Sequence, residues 1–239
     1  GPGPDPARVG RRPSGGPVKA AAVLPAGGAG LRMGGGGARK QYRDLGGEPI
    51  LLRALRPFVE HPRVAWVIVV VPPGDAEAPP FRLPDGVAVV VGGAERSDSV
   101  RKGLEAVPVD AEVVVIHDAA RPLVTAGVID RTLAAVGPGT GAIAALPVTD
   151  TLKRVEGDTI VTTVERQGLW RAQTPQAFPR DMIVDAHRRA AEEGFLATDD
   201  AALVERYGGR VVVVEGDQRN LKITRPEDLR LAERLLEAG

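Results

Sequence analysis

Residues 64–71, "VAWVIVVV", run for eight positions without a polar side chain. A strand with one face in water alternates apolar and polar residues, so an unbroken run belongs to a strand covered on both faces. "VKAAAVL" (18–24), "VAVVV" (87–91), "GAIAAL" (141–146) and "RVVVVEG" (210–216) follow the same rule. "EVVVIHDAARP" (112–122) reads as a strand running into a polar turn. Segments with helical spacing lie between these runs, at about 49–61, 97–107, 125–136, 179–194, 199–207 and 225–238. Pro49 opens the first, and the helix at 97–107 is expected to be capped by its Ser or Asp.

This alternation predicts an α/β fold, a mostly parallel twisted sheet flanked by helices. In such sheets ligands bind at the carboxyl ends of the strands. The loops 25–42, 92–99 and 118–122 each follow a strand, so they are predicted to converge on one crevice. The stretch at about 147–176 breaks the pattern. Its "TLKRVEGDTIVTTVERQGLW" holds two short extended segments around Glu156-Gly157-Asp158, a turn-like centre. A lone two-stranded hairpin is marginal in water and needs a surface to lie on. The stretch is therefore expected to project as a β-arm against a partner subunit. The first 17 residues, rich in Gly, Pro and Arg, are expected to form a disordered tail, and residues 18–239 a single domain.

Composition narrows the function. Lys and Arg total 31, equal to Asp and Glu, without the basic excess of a nucleic-acid binder. There is no cysteine, so disulfides, thiol catalysis and cysteine-bound zinc are excluded. His61, His117 and His187 are far apart and make no metal-ligand motif. No apolar run reaches the ~18 residues of a membrane span. These features suggest a cytoplasmic protein acting on small molecules.

"LPAGGAGLRMGGGGARKQY" (24–42) turns on glycine after a strand and presents Arg32, Arg39 and Lys40. It lacks the glycine and hydroxyl that flank the lysine in a Walker loop. It begins like a dinucleotide fingerprint, but Met33 stands where the third glycine would permit close helix–strand packing. What remains is a glycine-rich run of backbone N–H groups with a forked guanidinium and an ammonium, equipment suited to a triphosphate. Alone, it reads equally as a mobile surface loop with solvated charges. Gly34 to Gly37 are expected to leave it disordered without ligand.

Later motifs reduce that ambiguity. "PAGGAGLRM…KQY", "GGAERSDSVRKGL", "HDAARP", "DTLKR", "RQGLWRAQTPQAF", "TDDA" and "LKITRPEDL" occur in this order. The set closely resembles the 2-C-methyl-D-erythritol 4-phosphate cytidylyltransferases of the non-mevalonate isoprenoid pathway. The resemblance implies a nucleotide-diphospho-sugar-transferase-like, Rossmann-type fold and a Mg²⁺-dependent transfer of CMP from CTP to a sugar-alcohol phosphate, with release of pyrophosphate. It implies catalytic roles for Arg32, Lys40 and Lys222 on the phosphates. It places Ala26, Gly27, Gly28, Gly93, Ser99, Asp118 and Arg121 around CTP, with Mg²⁺ on Asp118. It puts Thr151, Arg166 and Thr174 on the arm, binding the acceptor across a homodimer interface. A ribitol-5-phosphate cytidylyltransferase, with nearly the same loops, is the alternative. The loop carries one residue more than usual before Lys40 and Arg39 in place of a proline; Arg39 is expected to be solvated.

The chemistry fits the residues. A phosphomonoester has a second pKa near 6 and is mostly a dianion at neutral pH, so its attack on the α-phosphorus needs no base. The task is to gather two anions, which cations and a metal perform. His117 is accordingly expected to be structural. Lys153 reads as a solubilising charge, and Asp199 and Asp200 as a helix start with no chemistry.

Overall fold

The computed structural model describes residues 19–27, 40–77 and 79–238; of Lys40 it describes the backbone alone. The expected N-terminal tail, Gly28, Arg32, Met33, Arg39 and the mobility expected of the glycine loop lie outside the described residues.

Among the described residues seven strands form the main sheet. In chain order they are β1 (Ala20–Pro25), β2 (Val64–Val71), β3 (Val87–Val91), β4 (Val113–Ile116), β5 (Thr140–Pro147), β8 (Trp170–Pro179) and β9 (Arg210–Glu215). A separate two-stranded sheet pairs β6 (Leu152–Glu156) with β7 (Thr159–Val164). The main order is β3-β2-β1-β4-β8-β5-β9. All neighbours are parallel except β8, which runs antiparallel to β4 and β5.

The described residues also form six α-helices: α1 (Ile50–Val59), α2 (Arg96–Glu105), α3 (Ala126–Ala134), α4 (Arg180–Glu193), α5 (Asp200–Arg206) and α6 (Pro226–Glu237). Alternate residues of β1 show why its run is continuous. Ala20, Ala22 and Leu24 pack with α1 and α3, while Ala21 and Val23 pack with α2, α4 and α5. A third cluster seats α6 through Ala232 against Leu45, Ile50, Leu123 and Ile223.

Two expectations change. The segment expected as an arm divides at Trp170. Residues 152–164 form the exposed hairpin, turning at Gly157 with φ 61°, while Gln173 to Phe178 lie buried in the middle of the main sheet. The helix expected to be capped by Ser or Asp begins instead after Glu95, whose N–H donates to Asp98 Oδ2 at 3.3 Å. Ser99 is therefore a residue of the helix body, free for another task.

Candidate active site

Asp118 sits just past the end of β4, where its neighbours fix it from behind. Its N–H donates to Thr174 Oγ1 at 3.0 Å, Thr174 Oγ1 lies 2.9 Å from His117 Nδ1, and His117 Nε2 lies 3.0 Å from the Arg121 carbonyl. A carbonyl can only accept, so Nε2 carries the ring proton. Nδ1 then accepts the Thr174 hydroxyl proton, and the Thr174 oxygen is left to accept from Asp118. Burial pushes the His117 pKa down to about 4. The ring is neutral near pH 7 with both nitrogens committed, so it has nothing with which to take a substrate proton.

The Asp118 carboxylate faces cations. Arg96 Nε donates to Oδ1 at 2.9 Å and Lys222 Nζ lies 2.8 Å from Oδ2. Arg96 reaches on through Nη2 to Asp200 Oδ2 at 2.9 Å, and Asp200 Oδ1 accepts from His187 Nε2 at 2.9 Å. Burial alone would raise both carboxyl pKa values. Arg96 with Lys222 at Asp118, and Arg96 with His187 at Asp200, outweigh it and hold both groups below the usual carboxylate range.

Lys222 is delivered by the turn after β9. Gln173 Nε2 donates to the Asp217 carbonyl at 2.9 Å while its Oε1 accepts from Asp217 N–H at 3.2 Å. Asn220 Nδ2 donates to the Thr174 carbonyl at 2.7 Å, and Arg121 Nη1 to the Asn220 carbonyl at 2.8 Å. Arg96, Asp118, Arg121, Gln173, Thr174 and Lys222 contribute to the lining of an open cavity of about 250 Å³ at this edge.

Ala26, Gly27, Gly93 and Ser99 gather nearby, beside the start of α2. Ala26 is buried; its N–H donates to Val70 and its carbonyl accepts from Gln41 Nε2 at 2.6 Å. Ser99 is fully buried and its Oγ accepts from Gly93 N–H at 3.2 Å. A Cβ at Gly93 would stand 2.3 Å from Asp98 Cβ, so the close turn there needs glycine. Arg96 and Ser99, nearly one helical turn apart on α2, join this cluster to the cavity.

Asp118, Arg121, Thr174 and Lys222 thus come together as the sequence suggested, although Thr174 belongs to β8 and not to the arm. Thr151 and Arg166 do not join the cavity lining in this chain. Both are exposed near the hairpin, and Arg166 donates to the Thr149 carbonyl. Arg96, Gln173, Asn220, Asp200 and His187 went unassigned by sequence reasoning. Asp199 does cap α5, accepting from Ala202 N–H at 3.0 Å, but Asp200 does more than start a helix. The doubled aspartate at the helix start did not signal that one carboxylate turns inward.

Residues 20–238 match the family model of 2-C-methyl-D-erythritol 4-phosphate cytidylyltransferase. The chain belongs to that family. It is 47% identical over 224 residues to the 2-C-methyl-D-erythritol 4-phosphate cytidylyltransferase of Symbiobacterium thermophilum, covering 92% of this chain and 94% of that one. It is 50% identical over 222 residues to a bifunctional enzyme IspD/IspF of Rhodospirillum rubrum, covering 91% of this chain but 57% of that longer protein. The crystal structure of the cytidylyltransferase from Thermus thermophilus superposes with a TM-score of 0.78 at 35% identity, over 92% of this chain and 100% of that one. The α/β fold read from the sequence is that of these cytidylyltransferases, with β8 as the antiparallel member. No helix among the described residues is long and apolar enough to cross a membrane.

Proposed function

We infer that the chain transfers CMP from CTP to the phosphate of 2-C-methyl-D-erythritol 4-phosphate. An oxygen of the acceptor phosphate bonds to the α-phosphorus, the bond from that phosphorus to the bridging oxygen breaks, and pyrophosphate leaves. The observation that carries this reading is the Asp118 carboxylate held between Arg96 and Lys222 at the mouth of a cavity that Arg121 also lines. Among the described residues Arg121 Nε is buried without a hydrogen-bond partner, a donor left available for an anion. Arg32 and Lys40 of the glycine loop are assigned to the triphosphate, and Ala26, Gly27, Gly28, Gly93 and Ser99 to the nucleoside. The neutral, fully engaged His117 supports a reaction that needs no base. The relatives named above support methylerythritol phosphate as acceptor; none of them is named for ribitol phosphate.

Magnesium dependence belongs to the same proposal. Among the described residues no group of three His, Cys, Asp or Glu side chains could hold a metal ion by itself. Mg²⁺ commonly takes one or two carboxylates and completes its shell with substrate phosphates and water, so Asp118 beside a bound triphosphate fits it. Such an ion supplies neutralisation of the charge that develops between the phosphates. Lys222 would then exchange Asp118 for a phosphate oxygen.

The arm is proposed to pair with a second copy of the chain and bring Thr151 and Arg166 to the partner's acceptor site. Val155, Ile160 and Val161 on it are 51%, 60% and 52% exposed, apolar surface that a lone hairpin leaves in water. A cytoplasmic setting accords with two substrates that are small, charged phosphates. The test is pyrophosphate release in a panel of CTP, UTP and ATP against methylerythritol phosphate and ribitol 5-phosphate, with and without chelator. Release confined to CTP and methylerythritol phosphate, and lost on chelation, is expected. Equal or greater activity with ribitol phosphate overturns the acceptor assignment.

A further inference from the structure

Lys102 lies near the end of α2, pointing back along the helix. Its Nζ donates to the Gly92 carbonyl at 3.0 Å. That carbonyl and the Gly93 N–H belong to one peptide group, and the Gly93 N–H donates to Ser99 Oγ. The ammonium therefore pulls electron density through the 92–93 peptide and makes its N–H the stronger donor. The preceding peptide, 91–92, is held as well, since Gly92 N–H donates to the Val71 carbonyl at 2.7 Å. The chain is thus anchored on both sides of Gly92.

Ser99 is fully buried, and among the described residues nothing accepts its hydroxyl proton. The side of the hydroxyl that faces Gly93 is filled by an incoming N–H. Cβ atoms built at Gly27 and Gly92 would stand 3.3 and 2.8 Å from Ser99 Oγ, so the backbone on both sides approaches closely without side chains. A buried hydroxyl whose oxygen already accepts and whose proton has no internal partner is turned into a donor for whatever occupies the adjoining space.

We propose that Lys102 is a positioning residue for base selection: through the 92–93 peptide it keeps the Gly93 N–H on one lone pair of Ser99 and so presents the hydroxyl proton to the N3 position of the pyrimidine. This rests on the reading of Gly27, Gly93 and Ser99 as the nucleoside subsite. Cytosine presents an acceptor at N3 and uracil a donor N–H. A hydroxyl free to turn can serve either, by donating to the first or accepting from the second. With one lone pair taken by the Gly93 N–H, the hydroxyl serves cytosine by donating; to accept from uracil it must turn its proton to a side where nothing among the described residues accepts it, and that buried unpaired O–H is where discrimination comes from.

The experiment measures kcat and KM for CTP and for UTP at saturating acceptor in the wild type, Lys102→Met, Lys102→Arg, Ser99→Ala and the Lys102→Met/Ser99→Ala double variant. Thermal melts check folding. Lys102→Met should lower the CTP-over-UTP ratio of kcat/KM by roughly threefold to tenfold, the scale of one weakened hydrogen bond. The change should fall on KM with kcat retained. Lys102→Arg, which keeps a cation able to reach the carbonyl, should restore the ratio. The double variant should discriminate no worse than Ser99→Ala, because both act through one hydroxyl. An unchanged ratio in a folded Lys102→Met, or additive losses in the double variant, overturns the proposal. If Lys102→Met does not fold, a ratio unchanged in Ser99→Ala overturns it equally. Absence of CTP-dependent turnover in the wild type would instead refute the parent reading of the enzyme.

Discussion

Replacing Arg96 with methionine tests whether the charge chain behind the cavity is structural as well as catalytic. Asp200 is almost wholly buried, with 1% of its side chain exposed, and Arg96 is its cationic partner at 2.9 Å. Removing one member of a buried pair costs about 3–5 kcal/mol, because the other charge is left uncompensated. Arg96 is itself 31% exposed, so water can partly take its place and the low end, about 3 kcal/mol, applies. At roughly 2–4 °C per kcal/mol for a domain of this size, the melting temperature should fall by roughly 6–12 °C near neutral pH. Asp118 contributes less, since it keeps Lys222.

The pH dependence carries the stronger test. In the wild type the folded pKa of Asp200 lies below its unfolded value, so its contribution is present above the ordinary carboxylate range and lost in acid. Without Arg96, burial becomes the dominant influence and moves the folded pKa above the unfolded one. The buried anion then destabilises the fold at neutral pH, and the penalty fades as acid protonates it. The gap between wild type and variant should therefore narrow as the pH falls from about 7.5 to about 4.5, read by calorimetry across that range. Arg96→Met/Asp200→Asn removes both charges and leaves an amide oxygen for His187, so it should recover to within about 1 kcal/mol of wild type. A gap that stays constant with pH, together with no rescue in the double variant, would refute the reasoning.

Lys222→Met should lower kcat/KM by about 10²-fold, the scale of losing one charge-stabilising donor, without unfolding a protein whose lysine side chain is 41% exposed; steady-state kinetics and a thermal melt decide it. His117→Gln should cost about 1–3 kcal/mol of stability through its buried hydrogen bonds yet keep turnover within about tenfold, since a ring with a pKa of about 4 and two engaged nitrogens is no base; loss of activity in a folded variant, measured by pyrophosphate release, would contradict this. Ile160→Asp, at an exposed arm position, should leave monomer stability within about 0.5 kcal/mol while shifting the light-scattering mass from dimer toward monomer; an unchanged dimer would remove the arm from the interface.

Most of the sheet was legible because a doubly covered strand writes its own signature. The run Val64 to Val71 is fully buried on both faces, as a continuous apolar sequence requires. Asp118 and Lys222 were legible because the motifs that carry them resemble those of a known family, and their places, just past β4 and in the turn after β9, are where ligands collect. Arg96 and Asp200 were not, because their pairing spans 104 positions and neither sits in a pattern that distinguishes an inward charge from a solvated one. A helix start with two aspartates satisfies local rules whether the second carboxylate points to water or to an arginine.

The misplacement of β8 has the same origin and shows what the polar residues there are for. "WRAQTPQAF" reads as surface, because Gln173, Thr174 and Gln176 are polar and burying such groups unpaired costs free energy. Each is paired. Gln173 grips Asp217, Thr174 completes the hydrogen-bonded chain from Asp118 to His117, and Gln176 joins Asp199 at 2.8 Å and the Ala201 N–H at 3.1 Å. An apolar strand in this position would bury at least as well, but it would leave the Lys222 turn, the Asp118 backbone and the start of α5 unanchored. The central strand is polar because it is the floor of the site. The cost of burying it is offset by partners that the linear sequence separates by 23 to 57 residues.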